Sequence, residues 1–170
     1  MGGRVNPTIT IRLATVDDCA LLLELIRGLA AYENAPDAVV ANVDDLRRHG
    51  FGPEAKFEAI LAFLDGEVAG MALFFANFST WLGSPGMYLE DIYVIEAARG
   101  LGVGRALMAR LAAIALERGW GRIDFAALDW NPARRFYHRL GIAPLTEWVP
   151  YRAEGEALRR LAEEDRRDRA

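Results

Sequence analysis

The stretch Tyr88-Leu-Glu-Asp-Ile-Tyr-Val-Ile-Glu-Ala-Ala-Arg-Gly-Leu-Gly-Val-Gly-Arg105 constrains this chain more than any other. Its first half is aromatic and β-branched and follows the turn former Pro85-Gly86, which predicts a strand. In its second half Val103, Leu107, Leu111 and Ile114 recur at helical spacing, which predicts a helix opening directly out of the turn. Between the two, Gly100, Gly102 and Gly104 let the backbone approach a ligand closely, and free N–H groups at a helix start point at an anion. Arg99 and Arg105 flank the turn with positive charge. A phosphate-bearing ligand is the chemical expectation, and a glycine-rich turn that holds nothing is the plainer alternative. A Walker loop is excluded because no Gly-Lys occurs, and the G-x-G-x-x-G dinucleotide pattern fails because Arg105 stands where its third glycine belongs.

The rest of the chain reads as an α/β protein. Thr8 to Leu13 alternates with period two and predicts a first strand. Thr15-Val-Asp-Asp18 reads as a capping box with Asp in place of Glu, opening a helix that runs to about Tyr32 and stops before Pro36. A short helix is expected from Asn42 to His49, ended by Gly50. Phe57 to Leu64 and Val68 to Asn77 read as strands joined at Asp65-Gly66, and Ser79 to Gly86 as a loop carrying Trp81. After the central strand and helix, Gly119-Trp-Gly121 is a helix stop, and Arg122 to Leu128 reads as a strand buried on both faces. Asn131 is a good N-cap and Pro132 a good first residue for a helix to Leu140, with a last strand from Ala143 to Val149. The order βααβββαβαβ is an α/β sandwich on a mixed sheet. At 170 residues one domain is expected, with a charged tail from Glu154 that Leu158 and Leu161 anchor as a marginal helix.

Composition narrows the function. The net charge of −4 argues against nucleic acid as a partner. No apolar run reaches membrane-spanning length, the N-terminus lacks a secretory apolar region, and Asn6 stands where a myristoylation signal wants Ser or Thr, so a cytoplasmic protein is expected. Cys19 is the single cysteine and falls in line with Leu22, Leu23, Ile26 and Leu29, so it reads as a core thiol. His49 and His138 have no partner at metal-ligand spacing, no metal is expected, and no Ser-His-Asp or Cys-His arrangement can be drawn.

Arg99-x-x-Gly102-x-Gly104 resembles the pyrophosphate-binding motif of the GNAT N-acetyltransferases, whose helix N-terminus holds the pyrophosphate of acetyl-CoA. A second stretch, Leu128-Asp-Trp-Asn-Pro-Ala-Arg-Arg-Phe-Tyr-His-Arg-Leu-Gly141, resembles the family's segment in which an Asn at a strand end contacts CoA and a Phe-Tyr pair lies by the thiol. Tyr88-Leu-Glu-Asp91, Asp129-Trp-Asn131 and Tyr32-Glu33 narrow the resemblance to the spermidine/spermine (diamine) or thialysine N-acetyltransferases. It implies a GNAT-type, mostly antiparallel sheet flanked by helices over residues 8–152, with residues 153–170 as the tail. It also implies acetyl-CoA as co-substrate, a small amine as acceptor, and a homodimer. CoA contacts would come from Ile92, Tyr93, Val94, Arg99, Gly100, Leu101, Gly102, Val103, Gly104, Arg105, Asn131 and Phe136. The chain departs from the family in running directly from Asn131 to Pro132, one residue short of the usual loop.

Acetyl transfer to an amine sets its own requirements. An alkyl amine with a pKa of about 10.4 arrives protonated, so a carboxylate must take a proton, directly or through water, and the departing thiolate needs one. Tyr137 is the candidate general acid, the alternative being a ring packed on the sheet with its hydroxyl satisfied. Glu90 and Asp91 are adjacent carboxylates in an apolar strand, and regular alternation would send one of them away from any single site unless the strand bulges. Glu90 is the candidate base and amine binder, while Asp91 either binds the amine or pairs locally. The resemblance implies that Tyr32 and Glu33 bind the far ammonium of a diamine, and a solvated loop is the alternative. Trp81 either covers the amine's methylene chain or packs in a dimer interface. Besides a small-amine acetyltransferase, the same fold accommodates a protein or peptide N-acetyltransferase and a non-catalytic acetyl-CoA-binding regulator.

Overall fold

The computed structural model describes residues 7–169. The chain forms two compact units, one ending at Ala126 and the other beginning at Ala127.

The first unit is built on a five-stranded sheet in the order β1-β2-β3-β4-β5. Strand β1 is Ile9–Leu13, β2 Glu58–Leu64, β3 Glu67–Ser79, β4 Ser84–Val94 and β5 Ile123–Asp124. The first four are antiparallel, and β5 runs parallel to β4. Helix α1 (Cys19–Tyr32) follows a 3₁₀ turn at Val16–Asp18, and the expected capping box is formed. Asp18 accepts from the Thr15 N–H at 2.7 Å and from both Arg12 nitrogens at 2.7 and 2.8 Å. Those Arg12 hydrogen bonds hold its carboxyl well below the usual carboxylate range. Leu22, Leu23 and Leu25 of α1 pack with Ala59 and Leu61 of β2 and Met71 and Leu73 of β3. Cys19 lies in the same core, as its place in the apolar stripe requires.

Strand alternation turns Ile60, Ala72 and Phe74 to the opposite face, where they are fully buried. Helix α3 (Val103–Glu117) contacts β1, β2, β3 and β4 and buries Val103, Leu107 and Leu111. Helix α2 (Val43–Phe51) starts at Asn42, whose side chain accepts from the Asp44 and Asp45 amides at 2.9 and 3.0 Å. Gly50 does not end this helix as expected. It lies inside it, at a position where the Phe57 ring fills the place of a Cβ, with a ring carbon 2.5 Å from that point.

The predicted loop at Ser79–Gly86 is shorter than expected. Strands β3 and β4 continue to Ser79 and from Ser84, so Trp81 stands on the tip of a hairpin beside Leu82. Two further expectations fail. The strand predicted from Arg122 to Leu128 reduces to Ile123–Asp124, half-buried, and Leu128 is exposed. The last strand, predicted from Ala143 to Val149, does not form. Pro144 and Pro150 have no N–H to give a ladder, and the Trp148 N–H donates to the Leu145 carbonyl, closing a turn mid-segment. Without a further strand beside it, β5 stays a two-residue edge.

The second unit carries α4 (Ala133–Arg139) and α5 (Gly155–Asp168). Leu158 and Leu161 of α5 are both exposed. No helix among the described residues is long and apolar enough to cross a membrane.

Candidate active site

The glycine-rich turn has its backbone set by its glycines. Gly100 and Gly102 have φ of +78° and +92°, in the region L side chains avoid. Gly102 is the residue before α3, and no side chain caps the helix there. The Ala106 N–H donates to the Gly102 carbonyl at 3.0 Å. The amides of Val103, Gly104 and Arg105 precede it in the first turn, where helix geometry supplies no carbonyl partner. A Cβ at Gly100 would meet nothing within 4 Å, and at Gly102 only the Ile9 side chain at 3.6 Å. The turn is open above its amides, and Arg105 and Leu101 are exposed beside it. Free amides at the start of such a helix can receive an anion.

Strand β4 leads into this turn and supplies the second feature. It pairs with β5 only at Met87 and Tyr88. From Leu89 to Val94 its β5-facing edge has no strand partner among the described residues, so backbone groups of Ile92 and Val94 fall on an open edge while the Tyr93 carbonyl faces β3. On the other edge β3 approaches closely at Gly70. A Cβ there would collide with the Tyr93 carbonyl and lie 3.2 Å from the Val94 Cα.

The third feature is the bulge that would free Glu90 and Asp91 from strict alternation. Leu73 pairs with Asp91 and Phe74 with Leu89, so Glu90 is the extra residue in β4. Glu90 is exposed and Asp91 half-buried. Burial pushes the Asp91 carboxyl up to about 6, with the negative charges of Glu90 and Glu33 adding to it. Glu33, the residue after α1, is thus an electrostatic neighbour of the bulge although far from it in sequence.

Tyr32, Tyr93 and Arg99 meet beside this acidic group. The Arg99 guanidinium lies 4.5 Å from the centre of the Tyr32 ring and 5.9 Å from that of Tyr93, and its Nε donates to the Val94 carbonyl at 3.1 Å. Sequence reasoning missed this use of the Arg99 side chain. The available signal was Gly28 four residues before Tyr32, on one helical face.

Trp81 is not brought to this cluster within one chain. It lies beyond Ser84, and the stretch of β4 from Ser84 to Asp91 spans roughly 20 Å. In the second unit α4 begins one residue later than expected, with Pro132 rather than Asn131 at its N-cap, and the Asn131 Oδ1 accepts from the Ala133 N–H at 2.9 Å. Phe136 and Tyr137 are adjacent on α4 with ring centres 5.3 Å apart, and Tyr137 is buried. His138 is exposed, in keeping with its place about 100° around the helix from Tyr137. Asp129, Asn131, Arg134 and His138 line a shallow hollow. Among the described residues no group of three or more His, Cys, Asp or Glu is placed to hold a metal.

Residues 27–142 match the acetyltransferase (GNAT) family. A thialysine N-epsilon-acetyltransferase of Bos taurus is 40% identical over 91% of this chain and 97% of its own length. A spermidine/spermine N(1)-acetyltransferase-like protein of Homo sapiens is 33% identical over 91% of this chain and 24% of its own. Among solved structures, an integron cassette protein from the mobile metagenome of V. cholerae superposes with a TM-score of 0.76 at 31% identity, over 91% of this chain and 98% of that one. Its five-stranded, mostly antiparallel sheet, its glycine-rich turn and these matches together show that the chain belongs to the GNAT acetyltransferase family and is an amine N-acetyltransferase.

Proposed function

We propose that this enzyme moves the acetyl group of acetyl-CoA to a primary amine of a small diamine, polyamine or thialysine-like substrate. The observation that carries the reading is the convergence of Glu33, Glu90 and Asp91 at the β4 bulge, beside the open edge of Ile92–Val94 and the glycine-rich turn. Three carboxyl groups in one neighbourhood, one of them with a raised pKa, are costly unless a cation joins them. The names of the thialysine and spermidine/spermine relatives support the same substrate class.

Bound acetyl-CoA supplies the acetyl group as a thioester. The amides of Gly100 to Arg105 hold its pyrophosphate, and Ile92, Tyr93, Asn131 and Phe136 contact the rest. The Val94 backbone polarises the thioester carbonyl. Asp91, with Tyr32 and Glu33, holds the cationic amine. Glu90 takes the amine proton, directly or through water, so that a C–N bond forms as the C–S bond breaks. The Tyr137 hydroxyl gives its proton to the departing sulfur. The active protein is a cytoplasmic homodimer, and the exposed Trp81 on its hairpin suits an interface with, or a lid over, the partner's amine. Residues 8–152 make one acetyltransferase domain, and residues 153–170 its charged tail.

Thiol release from acetyl-CoA across spermidine, putrescine, thialysine, lysine and a short peptide tests the reading. Turnover on a small diamine or on thialysine is expected. Turnover on the peptide alone would replace the reading with a protein acetyltransferase. Acetyl-CoA binding with no turnover would replace it with a non-catalytic regulator.

A further inference from the structure

The amine-binding end of α1 and the thioester-facing end of β4 belong to different elements, and one side chain joins them. Tyr93 turns its ring onto α1 at Gly28, where a Cβ would lie 2.9 Å from ring carbon Cε1. One helical turn later Tyr32 presents its ring to the Arg99 guanidinium at 4.5 Å, and the same arginine bonds the Val94 carbonyl at 3.1 Å. Arg99 therefore touches the residue before Glu33 and the backbone unit that ends β4. Arg105, the other arginine of the turn, is exposed on the first turn of α3.

We infer that Arg99 is a positioning residue, which ties the end of α1 to the Val94 backbone and so sets the amine against the acetyl carbonyl. This rests on the function proposed above. The planar guanidinium suits the contact, since it lies over a ring while its Nε–H is held toward the carbonyl, and a lysine ammonium, a point charge on a flexible stem, does not reproduce that fixed geometry. Charge near the turn is a separate property, which lysine at this position preserves.

The test compares Arg99→Lys, Tyr32→Leu, the double variant and Arg105→Gln with the wild-type enzyme. Acetyl-CoA affinity comes from calorimetry, and kcat and amine KM from thiol release at saturating acetyl-CoA. Arg99→Lys is expected to lower kcat about tenfold or more and to raise amine KM, because a small misplacement of reacting atoms is costly. Its acetyl-CoA Kd should stay within about threefold, since the charge remains. The double variant should lose little more than the worse single one, as expected for two groups acting through one contact. Arg105→Gln should weaken acetyl-CoA instead. Wild-type kcat in Arg99→Lys, a raised acetyl-CoA Kd with unchanged kcat, or losses that multiply in the double variant would overturn the inference. Hydrogen exchange gives a second readout that does not need turnover. Amides of residues 29–35 and 93–96 should exchange faster in Arg99→Lys and not in Arg105→Gln. A wild-type enzyme silent on every amine would sink the proposed function, and the exchange data would still decide whether Arg99 ties the two ends.

Discussion

Neutralising Asp91 should stabilise this protein at alkaline pH while impairing it. Its carboxyl titrates at about 6 in the folded chain against 3.8 for the ordinary group, chiefly through burial and then through Glu90 and Glu33. A carboxyl whose folded pKa is raised favours folding below the unfolded value and loses that advantage as pH climbs to the folded one. The unfolded chain releases the proton near 3.8 and the native chain only near 6. Between those values the native state therefore binds more protons, and stability falls with rising pH. Integrated to pH 8, a shift of this size costs about 3 kcal/mol. About 0.5 of it is already present at pH 4. Asp91→Asn removes the ionisation, so relative to wild type it should gain roughly 2.5 kcal/mol between pH 4 and pH 8. Near the melting temperature that is a relative rise in Tm of roughly 5–10 °C. Urea unfolding of both proteins at the two pH values measures it directly. Added diamine should narrow the gap at pH 8, because a bound ammonium pairs with the ionised wild-type carboxylate. Amine KM should rise in the variant. A stability difference that is the same at both pH values would refute the argument, as would a variant less stable at pH 8.

Three further substitutions probe other parts of the site and its support. Tyr137→Phe should lower kcat by roughly 10²–10⁴ with acetyl-CoA affinity near wild type, and an unchanged kcat would remove Tyr137 as the general acid. Gly102→Ala puts a side chain at φ +92°, which should cost about 1–2 kcal/mol and weaken acetyl-CoA as the turn reshapes; denaturation and calorimetry read the two effects separately. Gly50→Ala gains up to about 1 kcal/mol of helix propensity but drives a methyl into the Phe57 ring, an overpacking that costs about 1–3 kcal/mol. Denaturation should show a net loss, and a clearly stabilised variant would mean that Phe57 moves aside freely.

Local rules carried the sequence reading far. The strand, glycine turn and helix at residues 88–105 were legible because alternation, positive-φ glycines and helical spacing are each written in neighbouring residues. The capping box at Thr15, the short helix from about Asn42 and the buried Cys19 followed from the same short-range patterns. Reading Arg122–Leu128 as a strand buried on both faces failed because apolar character says nothing about whether neighbouring strands exist to cover it. Ala143–Val149 failed because Pro144 within it, Pro150 just after it and an internal turn outweigh β-propensity. The ending of α2 at Gly50 failed because a glycine marks a helix stop only where nothing else needs the missing side chain.

What the sequence by itself determined is therefore the side chains available and the elements that carry them: a glycine-rich turn from a strand into a helix, adjacent carboxylates in an apolar strand, and a tyrosine on a late helix. Only the tertiary structure decided that β3 and β4 slip register at Glu90, that Glu33 reaches the electrostatic neighbourhood of Asp91, and that Arg99 turns toward Tyr32 and Val94. The physical reason is range. Backbone conformation and amphipathic periodicity act over a few residues, whereas a strand's register and a buried carboxyl's pKa depend on groups that folding brings from distant parts of the chain.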